Sequence, residues 1–397
     1  MITVYYHPEK KSWYHCEATT DFVFGKTNHH VSYVGSKLDN SLPFPIGKDE
    51  NKLGPIIGIL TGSSQGKKSF IGNIPTLLNL QKALQSKGAL GVVITPDSFK
   101  DIFVDGYTFY SPIKKWIKIR TPLPDVVYNR IPYRIMEDTT DFTNMVSFLK
   151  ETNIPFFNPF FFSKWEIFQM LQSNDLLSPF LPHTILFQHK DDLKKMLEPY
   201  TKLYLKATNG RKGIGLYYLE YDNQELSLKS VEGYRSYSSF SAFWRDNKEV
   251  FQKGTYIIQQ AIQSDTFEGN RYDLRILCHY QENIKGHIIS GIGVRLAGEN
   301  RISTHVPNGG SIIPYDRIAT RFDDIILRSL VFNIGNVLNV QIGDFIGEFS
   351  IDLGRSTTGQ YYVYEVNSKP MVFDEPHIKK RGLENLTQLL IMKAKTT

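Results

Sequence analysis

Apolar residues follow two patterns along this chain. In the first fifty residues, ITVYY, FVFG and VSYVG alternate apolar with polar positions between Gly, Asn and Pro, which predicts a few short antiparallel strands. From Leu53 the apolar positions become continuous. PIIGILTG and GVVIT read as buried strands, PDVVYN as a third, and Leu77, Leu78, Leu80 and Leu84 fall at helical spacing between the first two. Apolar strands alternating with helix predict a parallel sheet, here an α/β domain over 51–150 closed by the helix DFTNMVSFLKE. IPFFNPFFF then reads as a linker packed against something. Ser163 and Glu166 fit a capping box that opens a helix ending near Ser173. Beyond residue 200, two-residue alternation predicts strands at 202–206, 214–219, 256–260, 272–278, 286–295, 345–353 and 360–367. Helices are expected around 239–250, 322–339 and 378–395. The domain expectation is 1–50, 51–150 and 151–397, the last with a small lobe over about 180–260 and a large lobe over about 261–397.

Composition narrows the function classes. At 397 residues, with 41% hydrophobic and 22% charged positions, the chain is globular and too long for one small module. Forty-six Lys and Arg against 40 Asp and Glu leave +6 without a basic run, which suits an anionic ligand better than nucleic acid. Cys16 and Cys278 are too few for a disulfide framework or a cysteine zinc site, and point to a reducing compartment. With no signal-peptide pattern and no run of 18 apolar residues, a soluble cytoplasmic protein without membrane insertion is expected.

Two segments carry phosphate-loop chemistry. TGSSQGKKS follows a buried strand, but Gly62 and Gly66 enclose three residues rather than four and Lys68 separates Lys67 from Ser69, so it departs from a P-loop twice. It reads as a polar loop at the carboxyl end of a parallel strand, where an acceptor substrate can still bind. LYLKATNGRKGIGLYYLEY places Lys206 before Gly210, Gly213 and Gly215, with a strand on either side and no helix after it. Such a hairpin tip folds over phosphates through its N–H groups, although a plain tight turn describes it as well.

The stretch 347–370 reads as two strands around GRSTTG. If Leu353 faces Gln360 across that turn, Glu348 falls directly opposite Glu365, with Ser350 and Asp352 on the face of Glu348 and Asn367 on that of Glu365. Opposed like charges cost up to about 1 kcal/mol, which a divalent cation would reverse; Glu348, Glu365 and Asn367 offer hard oxygen ligands of the kind Mg²⁺ accepts. A solvated face with splayed side chains is the alternative.

In order, Lys164, Lys206 before a glycine loop, YIIQQAI, Asp273-Leu-Arg275, Arg295, Glu348 and Glu365-Val-Asn367 resemble the ATP-grasp superfamily. VVYNRIPYR, KW, VRLAG, the Asn308-Gly309-Gly310 turn, GEFSIDL and YEVNSKP are more specifically similar to the YheC/YheD family of endospore coat-associated proteins, from about Leu53 to the C-terminus. The resemblance implies an α+β ATP-grasp fold of two lobes after an α/β pre-ATP-grasp domain. It implies ATP held by Lys164, Lys206 and the loop with Asn209, Gly210 and Gly213. Adenine would lie at the hinge Gln259, Gln260, Ala261 and Ile262, and Mg²⁺ on Glu348, Glu365 and Asn367. Arg275 and Arg295 would neutralise the transferring phosphoryl group and the acyl phosphate.

The function it implies is a carboxylate–amine ligase acting through an acyl phosphate, with a small-molecule or peptide carboxylate and an amine as substrates and spore coat proteins as partners. The alternatives are a spore-envelope assembly protein with little or no turnover and a kinase using 61–69. Ala207 stands where the superfamily has Pro, and Gln259 and Gln260 stand where Glu is common. Asp273 and Arg275 also read as a plain ion pair on one strand. Asn129, Arg130 and Arg134 read as shaping a strand exit.

Overall fold

A computed structural model describes residues 1–18, 20–64, 70–210, 214–222, 225–298 and 310–396, and within them four sheets. The first sheet, in the order Leu42–Ile46, Ile2–His7, Ser12–His15, His29–Tyr33, Phe22–Phe24, Lys52–Leu53, Lys48–Asp49, is richer than the few antiparallel strands expected. Two of its pairings are parallel, Ser12–His15 with His29–Tyr33 and Phe22–Phe24 with Lys52–Leu53. It shares one core with the second sheet, where Trp13 donates to the Arg120 carbonyl at 2.7 Å and Tyr6 Oη accepts from Arg120 N at 3.0 Å.

Ile56–Leu60, Leu90–Ile94 and Val126–Asn129 form the expected parallel strands of the second sheet, with Ile56–Leu60 in the middle. An antiparallel meander, Phe103–Tyr110 with Lys115–Pro122, extends it and has no counterpart in the sequence reading. The supposed linker also joins this sheet: Phe156–Phe157 pairs in parallel with Val126–Asn129. Because Leu90–Ile94 and Val126–Asn129 flank Ile56–Leu60 on opposite sides, the loops leaving Leu60 and Asn129 diverge at a topological switch point, where α/β sheets leave a crevice.

The third sheet draws its strands from 184–260, in the order Thr184–Leu186, Tyr256–Gln260, Lys202–Ala207, Leu216–Asp222, Glu225–Ser230, Gly233–Tyr237. The fourth runs Ser311–Ile313, Gly286–Leu296, Asn270–Gln281, Glu348–Arg355, Tyr361–Asn367. Against it packs the helix Asp323–Ile342, long and apolar enough to span a bilayer by composition, with Leu327, Leu330, Val331, Ile334 and Leu338 buried in the sheet's core. The last helix, Pro376–Lys395, buries Leu386, Leu389 and Leu390 against Ile57, Ile59 and Tyr128 of the second sheet, so the C-terminus ties the fourth sheet to the second.

One local expectation fails. Ser163 is the N-cap of helix Lys164–Gln172, but its side chain makes no capping hydrogen bond, so the capping box does not form. Lys164, its first residue, instead aims its side chain into the cleft between the third and fourth sheets, as described next.

Candidate functional site

A cleft of about 1000 Å³ is lined by the third sheet, the fourth sheet and the loops at the carboxyl ends of the parallel strands. Lys206, next to last in the strand Lys202–Ala207, lies inside the cleft. Its Nζ donates to Gln259 Oε1 at 2.6 Å and lies 5.6 Å from the ring centres of both Tyr204 and Tyr364. Burial, opposed by Glu365, pulls this ammonium down to about 8. Lys164 Nζ bridges the glycine loop of the third sheet and the fourth sheet, donating to the Gly210 carbonyl at 2.9 Å and to Glu365 at 3.0 Å.

The glycine loop begins as a hairpin. Ala207 N donates to the Gly215 carbonyl at 2.8 Å, and Gly215 takes a positive φ of 73° with Ala207 Cβ only 2.7 Å from where its own Cβ would stand. Asn209, Gly210, Ile214 and Gly215 line the cleft, while Gly213, assigned to phosphate, lies outside the described residues. At the hinge, Gln259, Gln260 and Ile262 line the cleft, and the buried Gln259 donates to Thr184 Oγ1 at 3.0 Å. The N–H groups of Gln260 and Ala261 already donate to the carbonyls of His183 and Lys202.

The hairpin register departs from the turn count. Asp352, not Glu348, stands opposite Glu365, and Ser350 opposite Asn367, with a bulge after Asp352. The strands run past Leu353 to close at Arg355 with Tyr361, a shorter turn than an even pairing from Leu353 to Gln360, and the bulge adds one further residue, Tyr364, on the second strand. Glu348 shares the strand face, but two pairs farther along. It is buried, accepts from Tyr128 Oη at 2.7 Å, and has Arg130 Nη1 at 3.8 Å. Burial raises its carboxyl above the ordinary range, against the pull of Arg130 and Tyr128. Glu348 therefore belongs to the contact between the second and fourth sheets and is not among the residues lining the cleft, whereas Asp352 is.

Asp352 binds Arg275 through two hydrogen bonds of 2.7 and 3.0 Å, and Asn367 Nδ2 lies 3.4 Å from it. Burial works against this carboxylate, and Arg275 more than compensates, holding it below its usual range. Arg275 thus pairs across the sheet and not with Asp273 on its own strand; Asp273 faces Arg295 on the neighbouring strand. Burial and the nearby Arg275 push the Arg295 guanidinium down. Arg275 Nη1, Arg295 Nε, Ser350 Oγ and Ser368 Oγ are buried without a hydrogen-bond partner among the described residues. Buried donors left so are costly unless a ligand completes them.

Asn129, Arg130 and Arg134 do staple the strand exit: Asn129 donates to Glu137 and the Pro159 carbonyl, Arg130 to the Pro370 carbonyl, and Arg134 to the carbonyls of Phe161 and Phe162. Arg130 and Arg134 also line the cleft. Sequence reasoning missed Asn158, wholly buried, whose Oδ1 accepts from Gly347 N at 3.0 Å and Glu348 N at 3.3 Å and whose Nδ2 donates to the Ser368 carbonyl. It also missed Lys369, nearly buried, paired with Glu137 and 4.2 Å from the centre of the Phe161 ring. The signal for Asn158 was a single polar residue inside an aromatic run.

Residues 153–396 match the family model described as YheC/D like ATP-grasp. The chain is 31% identical over 295 residues to the endospore coat-associated protein YheD of Bacillus subtilis, a match that covers 69% of this chain and 65% of that relative, just under two thirds of its length. Among solved structures, D-alanyl-alanine synthetase A from Vibrio cholerae superposes with a TM-score of 0.52 at 13% identity, over 87% of this chain and 98% of that one. The D-alanine–D-alanine ligase of Coxiella burnetii does so with a TM-score of 0.51 at 11% identity, over 86% and 97%.

Proposed function

Because the chain belongs to the YheC/D-like ATP-grasp family, we propose that it is an ATP- and Mg²⁺-dependent ligase that joins a carboxylate to an amine through an acyl phosphate, in association with spore formation. The observation that carries this reading is that Lys164, Lys206, Arg275 and Arg295 line one cleft together with Asp352, Glu365 and Asn367. Phosphoryl transfer asks for positioned cations and little covalent help from the protein, which is what this set supplies.

In this reading a substrate carboxylate attacks the γ-phosphorus, the bond to the β-bridging oxygen breaks, and ADP leaves. The amine then attacks the acyl carbon, phosphate leaves with the electron pair of the C–O bond, and the amine releases its proton. Lys206 and Lys164 hold phosphate oxygens from the two lobes, with the loop around Gly210 above them. Arg275 and Arg295 face the γ-phosphoryl group, whose oxygens complete their unpaired N–H groups. The backbone around Ile262 holds adenine.

Two carboxylates and an amide oxygen on one sheet face fit Mg²⁺, which takes one or two carboxylates and fills its remaining positions with phosphate and water. Among the described residues no cluster of three His, Cys, Asp or Glu offers a closed metal cage. Bound there, Mg²⁺ would offset charge on the phosphates. Carboxylates engaged by the metal would release Arg275 and Lys164 toward phosphate.

The test is incubation with ATP, Mg²⁺ and pooled amino acids and small peptides, following ADP and new masses. Substrate-dependent ADP release that disappears in Glu365→Gln supports the ligase. Nucleotide binding with no turnover on any pool favours an assembly protein that keeps the fold. Failure to bind ATP in the presence of Mg²⁺ sinks both.

A further inference from the structure

The cleft is larger than a nucleotide requires, at the top of the range for ligand pockets, and its far end is built differently from its phosphate end. Three segments meet there: 71–73, 130–137 and 368–372. Arg130 reaches the Pro370 carbonyl, Lys369 pairs with Glu137, and both Ile71 and Met136 lie within 3 Å of where a Gly62 side chain would start. The first two segments leave the carboxyl ends of the parallel strands on either side of the switch point, where an α/β sheet binds its ligand.

Among the described residues that line this end the charges are of one sign, the carboxylates near Arg134, namely Glu137, Asp138 and Glu166, standing outside the lining. Arg134 is held by two carbonyl oxygens at 2.9 and 2.6 Å, and Arg130 by one at 3.2 Å. Dipoles position a guanidinium without cancelling its charge. The one carboxylate that compensates Arg130, Glu348, stands 3.8 Å away without a hydrogen bond, which leaves Arg130 Nη1 unpartnered among the described residues. Glu137 is 6% exposed, and its oxygens accept from Asn129, Lys369 and Phe161 N, so it faces no ligand. Among the described residues lining the whole cleft, the carboxylates are Asp273, Asp352 and Glu365, all at the phosphate end. Asn73 does not add a helix terminus to the site, because its side chain already caps its own helix through Thr76 N at 3.1 Å.

An α-amino acid bound here would place an ammonium group among arginines with no carboxylate to receive it. We infer that this end of the cleft takes a carboxylate substrate bearing a second anionic group and no neighbouring ammonium, held by Arg130 and Arg134. The shared chemistry is a dicarboxylate, either free or as the acidic C-terminal residue of a peptide. Tyr133, Ile135, Met371 and Val372 are 44%, 75%, 42% and 43% exposed around the opening and would flank the remainder of such a molecule. This specifies the acceptor of the ligase proposed above and rests on that reading for its catalytic meaning, though not for binding.

The test is calorimetric titration of the full chain, with and without a non-hydrolysable ATP analogue and Mg²⁺. The probes are glutarate, N-acetylglutamate and an acetylated tripeptide ending in Glu, against acetate, alanine and free glutamate. N-acetylglutamate is expected to bind about tenfold tighter than glutamate, the size of one lost charge-assisted contact, and glutarate likewise tighter than acetate. The peptide outbinding glutarate would assign the site to a peptide terminus, and the reverse to a free dicarboxylate. Arg134→Gln should weaken these dianions about tenfold while analogue affinity stays within about twofold. Should that variant not fold, Arg130→Gln is read the same way, and the wild-type series decides in any case. Alanine or glutamate binding as tightly as N-acetylglutamate overturns the inference, as does failure of every dianion in both states. Dianion selectivity with no analogue binding would sink the ligase reading and leave the anion site standing.

Discussion

Asp352 stands directly across the hairpin from Glu365, and each carboxylate is held by a cation from another element, Arg275 on the adjacent strand and Lys164 at the start of a helix. Such an arrangement keeps two like charges close without a metal, and in the proposed ligase a bound Mg²⁺ would take over the role of those cations. Asp352→Asn and Glu365→Gln should each lower the apparent Mg²⁺ affinity in ATP hydrolysis or nucleotide binding by roughly tenfold or more. Glu348→Gln should leave the Mg²⁺ dependence unchanged. A Mg²⁺ titration of the three variants checks the assignment, and an equal loss in Glu348→Gln contradicts it.

Lys206 makes nucleotide binding pH-dependent in a definite direction. Its folded value of about 8 lies below the ordinary lysine value of about 10.4, so burial disfavours the charged form. That cost to stability is present in full below pH 8 and relieved as the pH rises from 8 toward 10.4. A polyphosphate favours the ammonium, so nucleotide binding at pH 8.5 should take up protons, and affinity should fall above pH 8. Titrations in buffers of different ionisation enthalpy measure the uptake, which Lys206→Met should remove. A buffer-independent enthalpy in the wild type counts against the assignment.

Asn158 fastens the segment after Phe157 to both strands of the carboxylate hairpin. Asn158→Ala strands two backbone N–H groups and two carbonyls in a dry setting, and should destabilise the chain by about 2–3 kcal/mol. Urea denaturation gives the value, and a change under about 0.5 kcal/mol would mean that water replaces the amide.

Gly347 lets Phe157 close on the fourth sheet. An added Cβ would stand 2.3 and 2.4 Å from two of the ring carbons. Gly347→Ala should cost about 1–3 kcal/mol by overpacking, seen as a lower thermal midpoint. An unchanged midpoint would show that the ring shifts freely.

The strands and helices that carry the cleft were legible in the chain because periodicity reports local burial. The parallel strands, the hairpin of Lys206 and the final helix follow from it. Phe156–Phe157 was not legible as a strand, since an aromatic run between prolines has no period and its hydrogen bonds lie on a distant strand. The hairpin register was missed because a turn sequence does not disclose a bulge.

The sequence by itself determined which residue types could meet phosphate and metal, and the order in which they occur. Only the tertiary structure decided which of them share a site. Glu348, Asp352 and Glu365 are equivalent as carboxylates on one hairpin face, and three-dimensional packing alone separates them. The second sheet buries Glu348 against Tyr128, while Asp352 and Glu365 open to Arg275 and Lys164. The physical reason is that a carboxylate's role is set by the dielectric and the partners around it, and those come from segments remote in the chain, 77 to 220 residues away.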